Sequence, residues 1–319
     1  MAKPKKTARS KWKMIKNPIP WPGGANVAVN YTFDMDADSI LHIAHPDDAA
    51  TRVSTMSYLR YGPEVAVPRI CDMFEAYGVP VTFFVPGWCV EEHPKAVERM
   101  LKGGHEVAHH GYMHELANLS TRDREYYWTQ RTFEVIERFT GQKPRGIRQP
   151  WAAYSKHSSE ILTELGIQYD SSLLADDVPY IIRARSGREL VELPINWPMD
   201  DWPHYVHNAD LDYLMPIKSP REATEVYMSE FDVMWKAKGY WEACWHPFVS
   251  GRPARMEYIA QMIEEMQKIG KVWFCTMEDC AKHVRKLVDQ GKYKPRVDKL
   301  PYKEARISQL AEDAIPLRG

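Results

Sequence analysis

Residues 79–85 read VPVTFFV, an apolar run almost without interruption that follows a helix-like stretch ending at Gly78. A strand with one wet face alternates apolar and polar residues. A strand apolar at nearly every position is dry on both faces, as a parallel strand covered by helices is. A buried strand is also read at 27–33, further strands at 241–245 and 272–276, and shorter strands at 106–108, 146–148, 167–169 and 191–195. Helical spacing fills the intervals at 65–77, 94–101, 121–140, 157–165, 254–269 and 278–288. Ser120 is the expected cap of the 121–140 helix. Ser219-Pro220-Arg221-Glu222 is a capping box that opens a helix to about Lys238. Residues 40–63 show no clean period and read as a long loop. Strand–helix alternation of this kind predicts an α/β fold with a mostly parallel sheet. Neither a P-loop nor a dinucleotide-type glycine loop is present.

The organisation expected is a basic tail and extended arm over 1–24, one catalytic unit over 25–288, and a tail or packing arm over 289–319. The chain has 319 residues, 42 Lys+Arg against 43 Asp+Glu, and a formal net charge of −1. That balance lacks the basic footprint of a nucleic-acid binder. No stretch approaches the roughly 20 apolar residues of a membrane span. Five cysteines at 71, 89, 244, 275 and 280 form no paired motif, and the basic N-terminus carries no apolar leader region, so a cytoplasmic protein is expected.

Ionisable residues gather where the predicted strands end, the place where barrel enzymes put their sites. Asp34, Asp36 and Asp38 crowd the end of the first strand, and like charges that close call for a cation or a shared proton. Four histidines fall within residues 105–114, and His110 and His114 are four apart, a spacing that on a helical turn puts both rings on one face to grip one metal ion. Arg148-Gln149-Pro150-Trp151 and Cys244-Trp245-His246-Pro247 close two further strands on the same rim.

Asp34/Asp36, His110-x-x-x-His114, Arg148-x-Pro150 and His246-Pro247, in that order, resemble the polysaccharide deacetylase family (the NodB-homology fold, carbohydrate esterase family four) over roughly residues 25–278. The resemblance implies a distorted (β/α) barrel with fewer regular strands than a full TIM barrel. It also implies one divalent metal ion, usually zinc, held by Asp36, His110 and His114. Many family members carry adjacent aspartates where Met35 here separates Asp34 from Asp36. The segments 57–63 and 67–70 resemble a cytoplasmic branch that holds a Helicobacter-type peptidoglycan deacetylase, cyclic imide hydrolases and allantoinases, whose members form homo-oligomers; a dimer or tetramer is implied. In the mechanism expected, Asp34 is the general base, Arg148 orients it, and His246 protonates the leaving nitrogen. The Trp151 N–H shares the oxyanion. Trp88, Trp151, Trp197 and Trp202, with Phe248, are expected to wall a pocket, and Asp200 or Asp201 to line it or to orient His246. His109 is read as supporting or merely adjacent.

Three functions follow. The first is hydrolysis of a non-peptide C–N bond in a small cyclic imide or ureide. The alternative is N-deacetylation of an amino-sugar polymer such as peptidoglycan or chitooligosaccharide. The remote alternative is a non-catalytic carbohydrate-binding barrel, disfavoured because Asp34, Asp36, His110, His114, Arg148 and His246 are all present.

Overall fold

The computed structural model describes residues 12–303. The basic run at 1–11 and residues 304–319 lie outside the described residues. Ten strands form one sheet: β1 Val27–Asp34, β2 Val81–Val85, β3 Glu106–His109, β4 Gly146–Ile147, β5 Tyr169–Asp170, β6 Tyr180–Arg183, β7 Glu189–Glu192, β8 Tyr240–Trp245, β9 Val272–Phe274 and β10 Val297–Lys299. Their order is β10-β6-β7-β5-β4-β3-β2-β1-β8, with β9 also on β1, and every pairing is parallel except β6 with β7. The sheet curls into an incomplete barrel. Between β7 and β8 the seam carries one isolated parallel bridge, Asp200 to Cys244.

Side chains alternate across a strand, and this sorts β1 and β8 into two chemistries. Val27, Val29, Tyr31 and Phe33 join Trp241, Ala243 and Trp245 in the main apolar core under the helices. The intervening Asn30, Thr32 and Asp34, with Glu242 and Cys244, are buried on the opposite face, inside the barrel. Aromatic edges lock the outer face: Tyr31 meets Phe74 and Trp241 at 5.0 and 5.2 Å between ring centroids. The inner face becomes more ionisable toward the C-terminal ends, so the rim collects charge.

Four expectations need correction. Residues 40–63 are not a loop. They form helices Ser39–Ala44 and Val53–Tyr61 and a wide turn of helix over Gly62–Ala66 that runs into helix Val67–Tyr77. Only Thr55 and Leu59 are buried in Val53–Tyr61, so no apolar stripe marks it. The cap of helix Arg122–Thr140 is Thr121, whose side chain accepts from Arg124 N, one residue later than expected. His110 and His114 do not share a helical turn. The chain after β3 is irregular, and His114 has φ 68. The strand β6 was not expected; it folds back on β7 through a turn at Gly187, and β10 pairs with it, which anchors part of the expected C-terminal arm. The Ser219 capping box forms as expected, over helix Pro220–Ala237.

Candidate metal centre and hydrolytic site

One cavity of about 370 Å³ sits at the C-terminal rim and is bordered by Asp34, Asp36, His110, His114, Arg148 and His246. Six residues from four separate sequence segments thus meet in one place. Among the described residues, donor atoms of Asp36, His110 and His114 lie within 4.8 Å of one another. His110 Nε2 is 3.2 Å from Asp36 Oδ1, and His114 Nε2 is 3.6 Å from Asp36 Oδ2. His110 Nδ1 donates to the carbonyl of Arg148 at 2.7 Å, which leaves the Nε2 lone pair facing the cavity. Burial opposes the charge of Asp36, but the imidazoles of His114, His110 and His246 outweigh it and hold the carboxyl below its usual range. Burial pushes His114 down to about 4, so its ring is neutral at pH 7. Asp36 Oδ1 is buried without a hydrogen-bond partner, a costly state that a bound cation relieves. Two imidazoles and a carboxylate, with a buried oxygen left over, fit a divalent metal that keeps open positions.

Beside this trio, Asp34 Oδ1 accepts from Arg148 Nη1 at 2.6 Å. All five N–H donors of Arg148 are engaged. They go to Asp34, Thr32 Oγ1, Glu242, Ser171 Oγ and the Ser171 carbonyl. The guanidinium also lies 4.2 Å over the Phe84 ring. Asp34 Oδ2 faces the cavity, 3.7 Å from His110 Nε2, with the Cys244 thiol donating to it from 3.7 Å.

On the other side, His246 Nδ1 donates to Asp201 Oδ1 at 2.6 Å, and Asp201 Oδ2 accepts from His246 N and Ser250 Oγ. Burial works against protonation of His246, but the Asp201 carboxylate overrides it and lifts the ring to about 10. Its Nε2 is 3.5 Å from Asp36 Oδ2.

The structure separates the two neighbouring aspartates that the sequence left open. Asp201 is fully buried and holds His246; it does not border the cavity, and the expectation that it touches substrate is corrected accordingly. Asp200 borders the cavity, its carboxyl pushed up to about 7 by burial. Trp151, Trp197 and Trp202 wall the cavity, joined by Tyr213, which the sequence did not single out. Trp88 does not: it packs on His42 and His93, away from the cavity. Phe248 is buried beneath, against Trp202 and His246. His109 accepts from Gly111 N and pairs through Nε2 with the Thr129 carbonyl, tying the His110–His114 turn to the long helix. Asp38 turns away to His93, at 2.6 Å, and Arg60. Glu242 is another residue that sequence reasoning missed; its signal was a carboxylate in the otherwise apolar strand 240–245.

Backbone strain collects here. Ala37, His114, Trp151 and Ala152 all have positive φ, between 48 and 68. Non-glycine residues held this way cost roughly 1–3 kcal/mol each and persist where surrounding structure over-determines them.

The matches to known proteins follow this geometry. Residues 58–169 match the family model for polysaccharide deacetylase. A Mycobacterium smegmatis protein assigned to the polysaccharide deacetylases has a crystal structure that superposes with a TM-score of 0.84 at 36% identity, covering 93% of this chain and all of that one. The chain belongs to the polysaccharide deacetylase family. Another member, the peptidoglycan deacetylase of Helicobacter pylori, is 28% identical over 69% of this chain and 84% of its own length. An allantoinase (PuuE) shares the fold, with a TM-score of 0.76 at 20% identity over 92% of this chain and all of that one. In this family member, Asp36, His110 and His114 on the rim form a cluster that could hold a metal ion, consistent with a metal-dependent hydrolase. No helix among the described residues is long and apolar enough to cross a membrane.

Proposed function

We propose that this protein hydrolyses the carboxamide of an N-acylated amino sugar. Water adds across the C–N bond, giving a carboxylate and a free amine. The observation that carries the reading is the flanking of one metal-ligand trio by two differently held groups, Asp34 on Arg148 and His246 on Asp201, inside one cavity. The similarity to the peptidoglycan deacetylase of Helicobacter pylori supports the sugar.

Asp36, His110 and His114 would hold a divalent ion, zinc being the expected one, which would supply Lewis acidity to the scissile carbonyl and lower the pKa of the attacking water. Asp34 takes the proton of that water on Oδ2. Arg148 occupies Oδ1 and keeps the carboxyl aimed. His246 gives a proton from Nε2 to the departing nitrogen, while Asp201 fixes the tautomer by holding Nδ1–H. The Trp151 N–H is assigned to the oxyanion. Trp151, Trp202 and Asp200 bind the substrate.

A second reading, ring opening of a small cyclic imide or ureide, is favoured by the cavity itself. It is compact, and three indoles and Tyr213 suit a flat ring. All five cysteines are buried free thiols, which supports a reducing, cytoplasmic setting. We also propose one catalytic unit over 25–288 and a homo-oligomer, dimer or tetramer.

Zinc-loaded protein incubated with N-acetylglucosamine oligomers, cyclic imides and ureides separates the readings by product mass. Loss of an acetyl group supports the first. Gain of one water with nothing released supports the second. Full turnover by metal-stripped protein overturns both. For His246→Ala, an equal slowing of good and poor leaving groups rules out the acid role.

A further inference from the structure

A second cavity, of about 430 Å³, opens beside the metal cavity and shares His114, Trp151 and Trp202 with it. Its far wall is made by two excursions of the chain, the helix Ser39–Ala44 and the turn Ala209–Leu211. Asp210 fastens them together. Its carboxylate accepts from Arg52 and, at 2.6 Å, from Thr55 Oγ1, and its carbonyl accepts from His45 Nε2 at 2.7 Å. Most polar groups of the wall are thereby spent on each other, and Asp212 stands exposed at the edge. The lining is mainly apolar, from Ile40, Ile43, Leu116 and Leu211 with the two shared indoles, and His45, His114, Asp210 and Asp212 border it as well.

The two cavities differ in chemistry. Asp34, Arg148 and His246 border the first and not the second. On the roles proposed above, on which this inference rests, the leaving nitrogen lies beside His246 and therefore in the first cavity. The acyl carbon would then lie at Asp36, His110 and His114, and His114 borders both cavities, so the second is open to the rest of the acyl group. We infer that the second cavity receives the acyl group of the substrate, and that this group is an alkyl or aryl chain larger than acetyl. An acetyl methyl would leave most of an apolar space facing water. Each buried methylene is worth roughly fourfold in affinity, so the cavity rewards a longer chain.

The test is a series of N-acylglucosamines from acetyl through butanoyl and hexanoyl to octanoyl, with zinc-loaded protein. The readout is the ratio of kcat/KM for octanoyl to that for acetyl, in which any loss of folding or metal loading cancels. The expected ratio is at least about 10. Ile43→Asp puts a charge into the cavity and Ala209→Trp fills it from an exposed position; both bring the ratio toward one. Turnover with a flat series overturns the inference and leaves the proposed reaction standing. A steep series that survives both substitutions overturns it as well. Tryptophan fluorescence titrations with octanamide and acetamide run alongside. If no member of the series is turned over, the proposed reaction falls. Octanamide binding at least tenfold tighter than acetamide, and lost in both variants, then upholds the cavity's assignment. Equal binding of the two amides overturns it.

Discussion

Two charged corners share the rim and are built in opposite ways. Around Arg148 every guanidinium donor has an acceptor, and the cation is part of the chain. Around Asp36 the facing atoms of two imidazoles and a carboxylate are all potential acceptors, and one carboxylate oxygen has no partner. The first corner supplies its own positive charge and is finished when the chain folds. The second is arranged as if the charge were to come from outside. The difference teaches how one fold separates a permanent electrostatic support from a replaceable one. Asp34 leans on the first while its free oxygen faces the second.

Breaking the open corner gives the largest effect. His110→Ala or Asp36→Ala loses bound metal and detectable turnover together, read by elemental analysis and steady-state rates on one sample. Asp34→Asn sharpens the comparison from the boundary between the corners. Metal content stays at the wild-type value while kcat falls by about 10²–10⁴-fold, the scale of general acid–base catalysis. Arg148→Met attacks the closed corner. Removing one partner from a buried ion pair costs about 3–5 kcal/mol, so chemical denaturation registers a fall in stability, whereas His110→Ala in metal-free protein does not show a loss of that size.

The smallest expected effect is a pH slope. Burial pushes the Glu242 carboxyl up to about 7, against the pull of Arg148. A folded value above the unfolded one means that the group favours the fold when protonated. Its contribution is complete below the usual carboxylate range near 4.5 and is lost as pH rises through about 7. The unfolding free energy of the wild type therefore declines across that interval by a contribution on the order of 3 kcal/mol from this group. Glu242→Gln removes that part of the slope, which denaturation curves at pH 4.5 and 8 compare directly.

The sequence shows the two corners unequally. Asp34, Asp36, His110, His114, Arg148 and His246 were legible because each sits where an apolar strand gives way to polar chain. Glu242 was not, because its partner Arg148 is 94 positions away and only barrel closure brings them together. The continuous apolar strands and the Ser219 capping box announced themselves through local chemistry. The stretch 40–63 did not, because its helices are held by tertiary contacts such as the Asp210 anchor rather than by a periodic apolar face. The left-handed turn at His114 likewise follows from the site's geometry, and residue type gives no warning of it.

The incomplete seam of the barrel carries a further consequence. Between β7 and β8 the chain leaves the sheet over residues 193–219, touching it again at the Asp200–Cys244 bridge. That single excursion holds Trp197, Asp200, Trp202 and Tyr213 on the metal cavity and Ala209 and Leu211 on its neighbour. Asp34, Asp36, His110 and His114 come from elsewhere, on β1 and just after β1 and β3. The walls of both cavities thus draw heavily on one contiguous segment of the chain. Asp201, which holds His246, lies on the same segment, so a change in this one stretch reaches both cavity walls and the support of His246.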